Sequence, residues 1–430
     1  LYSSAASDVY TRQTPLDPAV SPSALETPPA LETRLADVGR ALETQLSALL
    51  AHLPAAQGGP QRLAEGLGLD KVLTSRLLKA LRSGDPYLVL HHLPGPVPLA
   101  RLVRAARNQG APLERVAAAE AAVDGFAELI RSQLGDRGYL DAILAAYVPE
   151  ARREAELRSK QTAWRALSQI KGVTAELNLS TVLLHPSDDG LHVDIVWVFG
   201  LLGLRRLRPG APIQFATRRF STEANARRPS TLEGKPVSDL ESLRLDDFCT
   251  ARPARLDVQQ SGEVVHYLLG GDEFGPGSEV DLILAEANFR EIQRFVPPEL
   301  GRRGYVFSEI STPARGLVFD VLVHTEVYPG AEPELAIYDT ALNGVADVND
   351  RSRDVDRLDL LEMITHLGTG PARLRAAGAP RYADLLRHVF ARTGWDASRF
   401  RGYRVRIDYP LYGSQVALSF APPAPPPAPA

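Results

Sequence analysis

The side chains best able to do chemistry lie in one short stretch of the chain, between Gln61 and Arg82. Cationic and hydrogen-bonding residues recur there at helical spacing. Such side chains donate hydrogen bonds to base edges and neutralise phosphates. The spacing therefore predicts a helix face that contacts double-stranded DNA. It assigns one group to base edges and phosphates (Thr74, Ser75, Arg76 and Lys79) and another to the DNA backbone (Gln61, Lys71 and Arg82).

Two short helices and a tight turn must position these side chains. Apolar spacing predicts helices over Gln61–Leu67 and Lys71–Leu81, with three residues between them. Ala64 leaves room where the helices touch, Gly68 tolerates the positive φ of the turn, and Asp70 is a favourable N-cap. The arrangement is typical of a helix-turn-helix unit.

This segment resembles the recognition unit of winged-helix transcription regulators of the MarR and IclR kind. The shared pattern is a leucine–alanine pair, a leucine–glycine turn at Gly68, and a second helix bearing Ser75 and Arg76. The resemblance implies DNA recognition through the second helix. It also implies a two-stranded wing after that helix, with one strand at Tyr87–His92. No family resemblance extends to residues 173–430.

The local charge agrees with this interpretation. Residues 60–107 hold eight basic and three acidic residues, a balance of +5, whereas the whole chain has a net charge of −4. Arginine outnumbers lysine by 43 to five, so arginine alone says little, but two of the five lysines (Lys71 and Lys79) fall on the predicted second helix. Concentrated positive charge on an otherwise acidic chain is the pattern expected of duplex binding.

Several classes of protein are excluded by composition. The single cysteine, Cys249, cannot form an intrachain disulfide or a cysteine-ligated zinc cluster. The longest apolar stretch, Val193–Leu204, contains an aspartate and two glycines and is shorter than the roughly 20 residues of a membrane span. No charged-then-apolar segment at the amino end indicates secretion. From this we expect a cytoplasmic protein without membrane contact.

The order of apolar patterns predicts an α+β fold, with an all-helical amino-terminal part and a strand-rich, mainly antiparallel carboxy-terminal part with a few helices. We expect five regions: a flexible leader at 1–30, a helix-turn-helix domain at 31–98, a helical linker or dimerisation region at 99–172, a β-rich sensor or assembly domain at 173–421, and a Pro/Ala tail at 422–430. Gly190–Val196 is similar to Gly316–Leu322, which raises the alternative of two similar β subdomains.

Particular elements follow from the same patterns. Strands are predicted over Val173–Leu184, Leu191–Leu204, Val264–Leu269, Val280–Ala285, Tyr305–Ile310 and Leu317–Thr325, with Asp189-Gly190 as a hairpin turn. Tyr403–Tyr409 is predicted as a strand paired with Val416–Phe420. Helices in this half are predicted over Asn288–Phe295, Leu358–Leu367 and Tyr382–Thr393.

Other groups of polar residues favour ordinary structure over chemistry. The histidines and aspartates of His185–Asp194 fit a hairpin turn better than a metal site. The aspartates of Asp347–Asp356 lack the glycine and terminal glutamate of a calcium loop. The glycine-rich run Gly270–Ser278 lacks the lysine of a phosphate-binding loop. No catalytic residue, metal or cofactor is predicted.

Three functional hypotheses remain open on the sequence. The first is a DNA-binding transcriptional regulator that dimerises through Leu99–Ile170 and senses a small-molecule effector. The second is a self-assembling structural or interaction protein with a β-sandwich or barrel module and a helical adaptor. The third is an enzyme in which dispersed acids and Cys249 converge only in the folded state.

Overall fold

The computed structural model of the chain describes residues 30–219, 230–237, 241–250, 256–261, 264–271, 273–370 and 374–426. The leader predicted before residue 30 and the last four tail residues lie outside these ranges. The chain divides into two compact units, Leu1–Ala151 and Arg152–Ala430. Helices fill the described part of the first unit, and mostly antiparallel strands dominate the second. The predicted α+β class is therefore confirmed.

The first unit is a helical assembly around a leucine-rich core. Its helices are α1 (Leu31–Leu50), α2 (Gly59–Leu67), α3 (Lys71–Leu81), α4 (Pro86–His92), α5 (Pro96–Asn108), α6 (Leu113–Leu129) and α7 (Arg137–Leu144), and α8 (Pro149–Lys171) starts at its end. Leu35, Leu42, Leu46 and Leu49 of α1 are fully buried. Their spacing of seven, four and three residues places them on one helix face, which accounts for the burial.

The turn between α2 and α3 forms as the residue types predict. Gly68 adopts the left-handed conformation, with φ of 62°. The carboxylate of Asp70 accepts hydrogen bonds from the backbone N–H groups of Val72 (2.7 Å) and Leu73 (3.3 Å). These bonds satisfy two donors that the first helical turn cannot pair internally.

The wing strand predicted at Tyr87–His92 is wrong, because this segment is helix α4. Asp85 caps the helix by accepting hydrogen bonds from the N–H groups of Tyr87 and Leu88, both at 2.9 Å. Pro86 occupies the first helical position, where its missing N–H costs nothing. A short apolar run fits a strand and a buried helix equally well, and the cap decides for the helix.

The second unit contains thirteen strands and one further helix in its described ranges. The strands are β1 (Val173–Thr174), β2 (Leu177–Pro186), β3 (His192–Arg206), β4 (Ile213–Arg219), β5 (Leu256–Ser261), β6 (Val264–Leu269), β7 (Val280–Gln293), β8 (Gly304–Glu309), β9 (Gly316–His324), β10 (Glu334–Asp339), β11 (Ile364–Thr369), β12 (Phe400–Asp408) and β13 (Ser414–Phe420). Helix α9 spans Tyr382–Thr393 and ends at Gly394 in the left-handed conformation, as predicted.

The strands form three sheets. The largest has the order β1-β3-β2-β9-β12-β11, with β7 also paired to β3. Its β2–β9 pair is parallel and its other ladders are antiparallel. The two smaller sheets have the orders β10-β13-β8 and β4-β6-β5. One face of the large sheet packs against α9, and the other packs against β10-β13-β8. The large sheet and the β10-β13-β8 sheet thus form a sandwich, with α9 on the outer face of the large sheet.

A row of polar side chains crosses the face of the large sheet that packs on α9. Thr181, Asp320 and Arg404 lie in register on β2, β9 and β12. Asp320 is completely buried and forms two 2.7 Å bonds with the guanidinium of Arg404. The hydroxyl of Tyr382 on α9 donates to Asp320 at 2.6 Å and lies 2.8 Å from Thr181 Oγ1. The buried carboxylate is thereby fully paired, as an interior charge must be.

Several local predictions for this unit are wrong. Asn288–Phe295 belongs largely to strand β7 and Leu358–Leu367 contains the start of strand β11, so neither segment is a helix. The strand beginning at Tyr403 pairs with β9 and β11, whereas β13 pairs with β8 and β10. These pairings join segments far apart in the chain, which local patterns do not specify.

The turn at Asp189-Gly190 is confirmed. Gly190 has φ of 69°, and Asp189 accepts hydrogen bonds from the N–H groups of Leu191 and His192. The two similar segments that begin at Gly190 and Gly316 contribute β3 and β9, and both strands lie beside β2 in the same sheet.

Candidate functional site

The structure places the residues predicted to contact DNA in unlike environments. Thr74 is fully buried, and its hydroxyl donates to the carbonyl of Pro60 at 2.9 Å. The Arg76 guanidinium donates through Nε to the carbonyl of His92 at 3.2 Å. Gln61 donates to Glu65 at 2.9 Å. Lys71, Ser75 and Arg82 are exposed on α3 and at its end.

Lys79 is occupied by an acidic partner from the same unit. Its ammonium lies 2.8 Å from Oε1 of Glu150, whose other oxygen is 3.6 Å from Nε2 of His92. The hydrogen bond from Lys79 holds the pKa of Glu150 below its ordinary value. The ion pair engages the Lys79 ammonium, and 57% of the Lys79 side chain is exposed.

The other polar groups singled out in the sequence take structural roles. The hydrogen bond from His192 lowers the pKa of Asp189 to about 2 at the hairpin turn. Asp356 is paired with Arg353 at 2.6 Å. Burial raises the pKa of the Cys249 thiol, which lies against the backbone of Ile283 and is therefore a poor nucleophile. Within the described ranges, no three His, Cys, Asp or Glu side chains gather as a metal site requires.

The feature with the clearest binding geometry is a cleft of about 440 Å³ in the second unit. Ile195 and Trp197 of β3 and Ile292 of β7 form one wall, and Tyr305 and Phe307 of β8 form the other. The volume lies within the roughly 300–1,000 Å³ range of ligand sites, and the lining combines aromatic rings with a few polar groups. We call it the β8 cleft.

The aromatic rings of the β8 cleft are packed against one another. The Trp197 and Phe307 ring centroids are 6.3 Å apart in an edge-to-face arrangement, and those of Tyr305 and Phe307 are also 6.3 Å apart. Burial and the nearby carboxylate of Asp347 raise the pKa of Tyr305 to about 12. The phenol is therefore a neutral donor, bonded to Asp347, at any physiological pH.

A backbone irregularity shapes the wall that β7 supplies. Arg290 has φ of 57°, which is uncommon for a residue other than glycine. Its N–H donates to Oδ1 of Asp194 at 2.8 Å, where the β3–β7 register shifts between Val193 and Ile195. Bulges of this kind redirect the side chains that follow, and the next three residues of β7 line the cleft.

Strand β8 is an edge strand, and the backbone groups of alternate residues face the side away from β13. The N–H of Ile310 donates to the carbonyl of Ser414, so even-numbered β8 residues pair with β13 in this antiparallel ladder. The N–H and C=O groups of Tyr305 and Phe307 therefore point to the opposite edge. In the part of the chain that the structure describes, no backbone or side-chain group bonds to them.

The edge is closed at its amino-terminal end. Asn349 Oδ1 accepts from the N–H of Arg303 at 2.7 Å, and Asn349 Nδ2 donates to the carbonyl of Arg303 at 3.1 Å. One side-chain amide thus fills the position that a neighbouring strand would occupy. The open edge begins at Tyr305.

Two arginines at this end of the cleft differ in their bonding. Arg303 donates to the hydroxyl and carbonyl of Ser419 and lies 3.1 Å from Glu334. Arg302 is exposed and lines the cleft, and among the described residues it has no hydrogen bond or ion pair. It is a cation available to an incoming anion.

Sequence reasoning missed this site. The alternating Tyr305-Val306-Phe307 pattern indicated a strand, but not which edge of a sheet it would form. Trp197 is 108 positions earlier in the chain than Tyr305, and only the sandwich brings the two together. Aromatic residues at alternate positions of one strand were the local signal.

The chain matches no protein-family model and no curated protein sequence. Among solved structures, an M1 zinc metallopeptidase variant with a bound substrate from Deinococcus radiodurans is similar at 10% identity and a TM-score of 0.25, over 57% of this chain and 42% of that chain. A putative protease from Parabacteroides distasonis is similar at 8% identity and a TM-score of 0.25, over 58% of this chain and 41% of that chain. The chain thus spans about two fifths of each of these proteins.

These findings correct the expected function. The comparisons give no support to the hypothesis of a DNA-binding transcriptional regulator, and it is not retained; the similar solved structures are a metallopeptidase and a putative protease. Of the residues expected to contact DNA, Thr74 is buried, whereas Arg76 and Lys79 are exposed and bond to other groups of the chain. A TM-score of 0.25 extends no peptidase activity to this chain. The winged-helix resemblance, the homodimer and the small-molecule effector stay predictions.

No helix in the described residues is long and apolar enough to cross a membrane.

Proposed function

We propose that the second unit is a binding module that captures an extended peptide segment of a partner protein by adding it as a strand to β8. The observation that carries this proposal is the unpaired backbone of Tyr305 and Phe307 at a strand edge that borders the aromatic β8 cleft. Strand addition uses main-chain hydrogen bonds for affinity and side-chain pockets for specificity. Both parts are present on β8.

The composition of the cleft favours a peptide with large apolar side chains. Trp197, Tyr305 and Phe307 are each only half-buried, so their rings still have area to bury. Covering about 100 Å² of apolar surface contributes roughly 2.5 kcal/mol, before the cost of ordering the peptide. A concave site with a wall from β3 and β7 admits a single chain more readily than the edge of a complete second sheet.

The test compares two substitutions of the same residue. Tyr305→Pro removes the backbone donor at the open edge without removing a hydrogen bond to β13, whereas Tyr305→Ala keeps that donor and loses only the ring. The probe is a fluorescein-labelled hexapeptide of alternating threonine and valine with one phenylalanine, titrated by fluorescence anisotropy. We expect the proline variant to bind at least about fivefold more weakly than the alanine variant, since one net hydrogen bond contributes about 1 kcal/mol.

Thermal unfolding followed by circular dichroism establishes that both variants fold. Trp395→Phe, which changes a tryptophan that does not line the cleft, is the matched aromatic control and should leave binding unaltered. Equal affinities for folded Tyr305→Pro and unmodified protein would refute strand addition at β8.

A further inference from the structure

We infer that the β8 cleft binds the free carboxy-terminal end of its peptide, running antiparallel to β8, with the terminal carboxylate at Arg302. This inference rests on the proposed peptide binding and adds the direction and chemistry of the ligand. Three observations carry it, namely the ladder type of the small sheet, the closed end of the edge at Asn349, and the unpaired Arg302.

The ladder type gives the direction. Both existing ladders of β10-β13-β8 are antiparallel. An antiparallel peptide places one residue opposite Tyr305 and another opposite Phe307, and each such pair exchanges two hydrogen bonds. In that orientation the carboxy-terminal end of the peptide lies at the amino-terminal end of β8, which is the end that carries Arg302.

The closed end limits how far the peptide can extend. A longer strand would place its next pairing residue opposite Arg303, where the side-chain amide of Asn349 already bonds to both backbone groups. The last residue of the peptide therefore lies opposite Tyr305. A chain that continued past this point would have to displace Asn349 or turn away.

The charge at this end suits a carboxylate. Arg302 has no ion pair among the residues that the structure describes, whereas the Arg303 guanidinium is already bonded to Ser419 and paired with Glu334. The nearby carboxylate of Asp347 is occupied by the Tyr305 hydroxyl and by the N–H of Asn349, at 2.9 Å. Arginine binds a carboxylate through two parallel hydrogen bonds.

The side-chain preference follows from strand geometry. Successive residues of a strand point to opposite faces, so the last residue and the third from last share one face with the Tyr305 and Phe307 rings. We therefore expect large apolar or aromatic side chains at these two peptide positions and tolerance at the position between them.

The experiment uses the full chain and four labelled peptides, three hexapeptides and one octapeptide, measured by fluorescence anisotropy. One has phenylalanine as third from last residue, valine as last residue and a free carboxylate. The second is the same peptide amidated, the third has two glycines added after the valine, and the fourth has the reversed sequence. We expect the first to bind at least about tenfold more tightly than each of the others, as loss of a charge-assisted hydrogen bond predicts.

Arg302→Gln should abolish the difference between the free and amidated peptides, and Arg165→Gln, an exposed arginine on α8, should preserve it. Equal binding of all four peptides would overturn the inference and leave strand addition standing, because the edge would then accept any extended chain. Absence of binding by every peptide to the folded protein would overturn strand addition itself. Preference for the free carboxylate that survives in Arg302→Gln would overturn the role of Arg302.

Discussion

Substitution of Gly304 tests how closely strand β8 is held against the sandwich core. A Cβ atom at this position would lie 2.2 Å from the hydroxyl oxygen of Tyr328 and 2.8 Å from its Cζ. Tyr328 is almost completely buried, stacks on Phe420 with centroids 5.7 Å apart, and has φ of 47°. A residue so confined has little freedom to withdraw, so Gly304→Ala must displace either the ring or β8.

The expected cost follows from this geometry. Forcing an extra methyl into a packed core typically costs about 1–3 kcal/mol, which lowers the melting temperature of a unit this size by roughly 2–6 °C. The Tyr328 hydroxyl is buried without a hydrogen-bond partner in the described structure. Tyr328→Phe removes an unsatisfied group and should be neutral or stabilising by about 1 kcal/mol. The double variant should recover at least half of the loss.

Urea unfolding of the four proteins in this cycle measures the coupling directly. Gly277→Ala is the matched control, because a Cβ there meets no atom within 4 Å, and its free energy of unfolding should stay within about 0.5 kcal/mol of the parent. We expect a coupling energy above about 0.5 kcal/mol between Gly304 and Tyr328. Additive effects, as independent sites give, would refute the close contact and with it the position of β8.

Three further outcomes follow from other groups of the structure. Burial lowers the pKa of His185, and burial together with His185 lowers that of His324. The folded state therefore favours the neutral imidazoles, and stability is highest above the unfolded pKa of 6.5 and is lost as the pH falls below it. The urea midpoint of the protein should drop between pH 7 and pH 5, and that drop should be smaller in His185→Gln. Arg404→Leu leaves Asp320 buried without its cation and should cost about 3–5 kcal/mol in urea unfolding, whereas a loss below 1 kcal/mol would contradict the pairing. Asp70→Ala should cost about 0.5–2 kcal/mol and speed amide hydrogen exchange in the first turn of α3, and unchanged exchange would contradict the cap.

The elements predicted best from the sequence are those determined by residues close together in the chain. Helix α3 begins at Lys71 and ends at Leu81 as predicted, because an N-cap, a turn glycine and a leucine period all act within a few residues. Helix α9 was also predicted to the residue, since Gly394 ends it. The prediction for Tyr87–His92 was wrong because the apolar run favoured a strand whereas the N-cap at Asp85 favours a helix, and the segment is helix α4.

The site could not be predicted because its parts are distant in the chain. The β8 cleft needs β3, β7 and β8 to adopt one arrangement, and that depends on sheet order and register over more than 100 residues. On α3, the residue types predicted hydrogen bonding and charge. The partners of Arg76 and Lys79, however, come from α4 and from Glu150. Exposure and pairing are tertiary properties, so a cationic helix pattern alone did not establish a binding face.

The buried polar row on the large sheet has a consequence for assembly of the second unit. Side chains alternate along a strand with a period of two, so a slip of one residue in β9 or β12 would turn Asp320 or Arg404 toward the apolar space between the two sheets. In that space the charged side chain would lie among apolar side chains such as that of Phe319. Without a partner, its burial would cost several kcal/mol. The ion pair therefore favours the native register of β9 and β12, because the two sheets can pack without an unpaired buried charge only in that register.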